Sequence, residues 1–210
     1  MGEEMSMNQV IHAAVRRDVA RTEQALRELA DGDAGRAREV RTAWRNLARE
    51  LTHHHEAEDE HMWPFLESRG FDVGLLEEME AEHAAMKAAL ASVSASLDAL
   101  VAAPTSASAS AAADEVARAR VVVNGHLDHE ERDVEGLMAD IKEDADFKEL
   151  TKKLRPASTV DAANALAWMQ DGAGERELAA LRAAVPAPVV AILTRFLARR
   201  YRREVAPVWR

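Results

Sequence analysis

The sequence predicts an all-α protein: an up-down-up-down four-helix bundle followed by a short helical extension. Three observations carry this. Apolar residues recur every three and four positions through four long segments, which places them on one face of a helix. Alanine is abundant while aromatic residues make up only 4% of the chain, which suits closely packed helices better than strands. The segments are parted by breaks, the first two marked by glycine and aspartate and the third by small and polar residues, and short connections make consecutive helices antiparallel neighbours.

The first helix starts near Met5 and ends near Asp31-Gly32-Asp33, with a stripe of His12, Val15, Val19, Thr22, Leu26 and Leu29. Gly35 opens the second. Its stripe is Trp44, Leu47, Leu51, His54, Glu58, His61 (or Met62) and Phe65, and it stops at Ser68-Arg69-Gly70. Pro64 lies inside this helix and is expected to kink it or shift its last turn. Asp72 can cap the third helix, which carries Leu76, Met79, His83, Met86, Leu90, Val93, Leu97 and Leu100. Residues 103–113 (APTSASASAAA) read as a loop or a frayed helix start. The fourth helix follows with Val116, Ala119, Val123, His126, Glu130, Leu137 and Ile141.

Residues 1–145 make the bundle and residues 146–210 the extension. The extension shows short apolar helix patterns: Leu166, Trp168 and Met169, then Leu178 and Leu181, then Val189, Ile192, Leu193 and Phe196. Pro186 and Pro188 interrupt them. Such faces need covering, so this part packs on the bundle or forms a homodimer contact.

Composition narrows the function classes. With no cysteine, disulfides, thiolate metal sites and thiol catalysis are excluded. The net charge of −10 argues against general nucleic-acid binding. It is unevenly spread, −13 over residues 1–155 and +3 over residues 156–210. The N-terminus, MGEEMSMNQV, shows no basic region followed by an apolar run, so no secretory signal is expected. No stretch approaches the roughly 18 uninterrupted apolar residues of a membrane span. A cytoplasmic protein without a membrane span is the expectation.

Four histidines, His12, His54, His83 and His126, lie on the four stripes, and two of them stand four residues before a glutamate, Glu58 and Glu130. At that spacing the side chains stack on one helix face. An uncompensated buried carboxylate is costly, so Glu58 and Glu130 on core stripes call for a cation or a rich set of donors. Counted from the turns in antiparallel helices, His12, His54, Glu58 and His83 fall in one layer, joined by His126 if the fourth helix begins near Ala107. His53 and His55 flank His54 at about 100° and read as residues at the rim or just behind the ligands. His129 reads as solvent-facing, and Asp59 and Glu131 are fallback ligands should a helix rotate. Imidazole and carboxylate without sulfur suit iron or manganese, and zinc less well. Six ligands are too many for one zinc with an open position. Divided between two ions bridged by the carboxylates and a solvent oxygen, they leave room for dioxygen, peroxide or nitric oxide.

The segments HHHEAEDEHMWP (residues 53–64), IHAAVRRD in the first helix, EMEAEHAAM in the third and HLDHEERD in the fourth resemble the hemerythrin-like, or HHE cation-binding, domain over about residues 5–141. The resemblance implies a non-haem centre of two iron ions, oxo- or hydroxo-bridged, with His12, His54, Glu58, His83, His126 and Glu130 as the matching ligand positions. The tail is similar to an extension found on some bacterial members. Two departures stand out. Where oxygen carriers hold a second histidine one turn before the third-helix histidine, this chain has Met79. Where their last carboxylate is an aspartate five residues after the fourth-helix histidine, it has Glu130 at four and Glu131 at five. The other di-iron bundle, the ferritin-like one, is rejected because the first helix offers His12 and no acid near it.

The expected function is a di-iron protein that binds or reacts with dioxygen, peroxide or nitric oxide, in sensing, storage or detoxification. A catalase- or peroxidase-like enzyme and an iron sensor signalling through the C-terminal segment need the same ligands. His61, expected on the face of Glu58, is the candidate catalytic residue, either filling an open metal position or giving a proton to peroxide.

Overall fold

The computed structural model describes residues 5–138, 141, 144–154, 156 and 158–210, and among these residues every regular element is helical. The bundle consists of α1 (Met7–Arg27), α2 (Ala34–Ala57), a π-helical turn (Glu58–Met62) running into α3 (Trp63–Ser68), α4 (Val73–Ala102) and α5 (Ser106–Asp133). Helix α1 packs on α2 and α5, and α4 packs on the same two, closing a ring of four neighbours. After it come α6 (Glu135–Met138), α7 (Ala145–Lys153), α8 (Thr159–Gln170), α9 (Glu175–Ala184) and α10 (Ala187–Phe196). A second π turn (Tyr201–Val205) and a 3-10 turn (Ala206–Trp209) complete the chain.

Local chemistry sets the helix ends. Ser6 caps α1 in a reciprocal box with Gln9, Asp33 caps α2 through the Arg36 amide, and Asp72 caps α4 through the Gly74 amide. Gly32 and Gly70 turn the chain between bundle helices at φ of 80° and 83°, a region other residues rarely adopt. Residues 106–113, read from sequence as a loop or frayed start, are helical. Thr105 caps them in a box with Ser108, and Asp31 accepts from the Ser106 amide at 2.7 Å, tying this end to the α1–α2 connection.

The break at Glu58–Met62 has a direct cause. Pro64 has no amide proton to give the Glu60 carbonyl, and its ring crowds that carbonyl. The helix answers with i→i+5 bonding, in which the Trp63 amide reaches the Glu58 carbonyl. The wider turn rotates every residue after Glu58, so Met62 and Leu66 are buried.

Helix α4 is long and apolar enough to be a membrane span by composition. Here its stripe from Leu76 to Leu100 is buried in the bundle. Leu137, expected in the core, is exposed, because α5 ends at Asp133 and the buried residue of the next turn is Val134.

The expected boundary at 145/146 falls in the first turn of α7, which packs against the π turn at the site end of the bundle. The remainder of the extension docks on α1 and α2. Leu166, Trp168, Met169, Leu181, Tyr201, Val205 and Val208 belong to one apolar core with the bundle helices. Trp168 Nε1 donates to the buried Asp18 at 2.9 Å, Arg17 donates to the Trp168 carbonyl, and Arg36 donates to the Val208 carbonyl at 2.8 Å. On α10 only Val190 is buried, and Val189, Ile192 and Phe196 remain exposed.

Candidate metal centre

The structure brings His12 from α1, His54 from α2, Glu58 from the π turn, His83 from α4, and His126 and Glu130 from α5 into one buried cluster. The imidazoles meet in pairs, Nε2 to Nε2: His12 with His54 at 3.3 Å, and His83 with His126 at 3.1 Å. Each carboxylate lies between the pairs. Glu58 has Oε1 at 3.3 Å from His54 and Oε2 at 3.7 Å from His83. Glu130 has Oε2 at 3.2 Å from His12 and 3.7 Å from His126.

A surrounding set of acids orients three of the rings. Nδ1 of His12 meets Glu131 at 2.8 Å, Nδ1 of His83 meets Asp59 at 2.6 Å, and Nδ1 of His126 meets Glu82 at 2.8 Å. A carboxylate on Nδ1 retains a proton there and turns Nε2 inward as the coordinating nitrogen. Asp59 and Glu131 thus stand behind histidines. Asn8 donates to Oε1 of Glu130 at 2.9 Å and leaves Oε2 facing the cluster. Arg16 neutralises Glu131 at 2.7 Å.

Sequence reasoning missed two neighbours of this cluster. His55, read as a residue at the rim or just behind the ligands, is buried; its ring stacks on His83 with centroids 4.1 Å apart and meets His126 edge-on at 5.2 Å. The signal lay in the spacing, because Leu51, His55, Glu58, Met62 and Leu66 also step by fours and threes and all five are buried. Glu82 gave no periodic signal. It lies beside His83 on α4 and accepts from both His126 and His129. His129, expected to face solvent, is held between Glu82 at 2.8 Å and Asp133 at 3.2 Å. His53 is exposed, as a rim residue should be.

His61 is not brought into the cluster. The extra residue in the π turn means that three residues past Glu58 falls short of a full turn. Its side chain joins a cleft lined by Glu60, Pro64, Phe65, Asp146 and Leu150, with the Glu60 carboxylate 3.8 Å from its Nε2.

The donor set fits a cation. Oε2 of Glu58, Oε2 of Glu130 and Nε2 of His55 are buried polar atoms without a hydrogen-bond partner. Such atoms are rare in native proteins unless something compensates them. Burial opposes a charge on His12, but the adjacent carboxylates of Glu130 and Glu131 outweigh that and raise its imidazole to about 9. Burial and the neighbouring Glu130 push Glu58 well above the usual carboxylate range, whereas Glu130, despite its burial, is drawn down to about 2 by His12. His54 is lowered to about 3, first by burial and then by the charge on His12. Without a cation, then, the two close carboxylates are driven apart in proton affinity, Glu58 upward and Glu130 downward. A metal ion would compete with protons for the same donors.

Three groups of donors, each with its ligand atoms within 4.8 Å of one another, overlap here: His12, His54 and Glu130; His54, His55 and Glu58; His55, His83 and His126. The model of the hemerythrin HHE cation binding domain matches residues 10–138, which include every residue of the cluster. No curated protein and no solved structure matches the chain. The clustered histidines and glutamates form a metal-binding site.

Proposed function

We propose, since this chain belongs to the hemerythrin HHE cation-binding family, that its site holds two iron ions and binds or reacts with dioxygen, peroxide or nitric oxide. One observation carries the two-ion reading. Glu58 and Glu130 each reach one histidine of the His12–His54 pair and one of the His83–His126 pair, as carboxylates bridging two ions would. A donor set of imidazole and carboxylate, in a chain without cysteine, favours iron.

When bound, a pair of iron ions supplies the Lewis acidity and the electrons that chemistry with these small ligands requires. The protein supplies orientation and enclosure. Glu131, Asp59 and Glu82 lock three imidazoles through Nδ1, and Asn8 fixes the rotation of the Glu130 carboxylate. Trp63, nearly fully buried, lies over the His83 ring with centroids 6.0 Å apart and walls that side from bulk water. These features suit a protein that senses, stores or detoxifies a small ligand.

Anaerobic reconstitution with ferrous iron, followed by metal analysis and then exposure to dioxygen, peroxide and nitric oxide, tests this reading. It expects about two irons per chain and a change in the near-ultraviolet and visible absorption with at least one of the three. Uptake below about one iron per chain, with zinc preferred, would refute it.

A further inference from the structure

His55 is the buried histidine that the six expected positions leave out. Its Nε2 has no hydrogen-bond partner, and the side chain is 6% exposed. It shares one donor group with His83 and His126 and another with His54 and Glu58, so it sits where the two halves of the cluster meet. No carboxylate lies within hydrogen-bond distance of its Nε2, so a hydrogen bond does not explain why this nitrogen is buried.

We infer that His55 is a seventh ligand, giving a third nitrogen to the ion held by His83 and His126. This rests on the two-ion reading above. The two metal positions are then unequal: His12 and His54 serve one, and His55, His83 and His126 serve the other, with Glu58 and Glu130 between them. The π-turn residue that could have offered nitrogen, His61, is rotated out of the cluster, whereas His55 lies before the π turn, where the α-helical register still directs it inward.

The test is an anaerobic titration with cobalt(II), whose visible absorption reports the number and type of ligands. It compares the unaltered protein with His55→Phe, which keeps a stacked ring but removes both nitrogens, and with His53→Phe as a surface control. The unaltered protein and His53→Phe should take up two ions alike. His55→Phe should hold one ion normally and bind the other at least about 100-fold more weakly, with altered absorption from that ion. Two ions at unchanged affinity and with an unchanged spectrum in His55→Phe would overturn the inference and leave His55 a packing residue. If His55→Phe loses its helical circular dichroism, His55→Ala is titrated with and without added imidazole. Recovery of the second ion by imidazole supports the inference, and failure to recover it overturns it. If the unaltered protein takes up only one ion, the two-ion reading fails, and the role of His55 is decided by whether His55→Phe loses that ion.

Discussion

The Nδ1 nitrogen of His126 on α5 lies 2.8 Å from Oε2 of Glu82 on α4, and the other oxygen of the same carboxylate accepts from His129 at 2.8 Å. One acid therefore joins two helices and selects the tautomer in which His126 turns Nε2 toward the cluster. Glu82→Gln should weaken metal binding about 10- to 100-fold with the helical content unchanged. Competition against a chelator measures this, and an unchanged affinity would reduce Glu82 to a tie between helices.

Glu58 touches both halves of the cluster, at 3.3 Å from His54 and 3.7 Å from His83. Its loss should therefore weaken both metal positions at once. Glu58→Ala is expected to lose most of its metal on desalting, whereas His53→Ala, an exposed neighbour, keeps it. Equal losses from the two would mean that α2 is rotated from the orientation described here.

The metal-free protein should respond to pH through His12. Its imidazole is raised to about 9, burial being outweighed by the adjacent carboxylates of Glu130 and Glu131. A raised imidazole contributes stability that is fully present below its unfolded value near 6.5 and is lost as pH rises through about 9. Thermal unfolding of the metal-free protein should accordingly move to lower temperature between pH 6.5 and 9. Bound metal takes the place of that proton, so the metal-loaded protein should show a smaller decline over the same range. A metal-free melting temperature that rises across this window would count against the His12–Glu130 pairing.

Trp168 is 2% exposed and donates to Asp18, so it anchors the extension to α1 through both packing and a buried hydrogen bond. Trp168→Ala should cost about 3–5 kcal/mol in denaturant unfolding. Metal content should not change, because the ligands lie elsewhere on the bundle. A truncation of residues 156–210 that remained soluble and equally stable would show instead that the extension is an independent module.

Four amphipathic stripes, their turns and the histidines and glutamates that ride on them were legible in the sequence. Helical periodicity is a local property, and a carboxylate on an apolar stripe is costly enough to stand out without knowledge of the neighbours. What lay beyond the sequence were the relationships set by rotation and by distant partners. Neighbouring residues differ by about 100° around a helix. Packing against α4 and α5 is therefore what turned His55 inward beside His83 and His126. A single extra residue in the turn before Pro64 directed His61 out to the α7 side and put Met62 in the core. Glu82, Asp59 and Glu131 look like any surface acids until a histidine on another helix arrives at 2.6–2.8 Å. Asp18 likewise meets Trp168 across 150 residues of chain. Local pattern determined which residues are helical and which stripes hold the histidines and glutamates; only the tertiary packing decided which side chains complete the site, because those contacts join segments far apart in the chain.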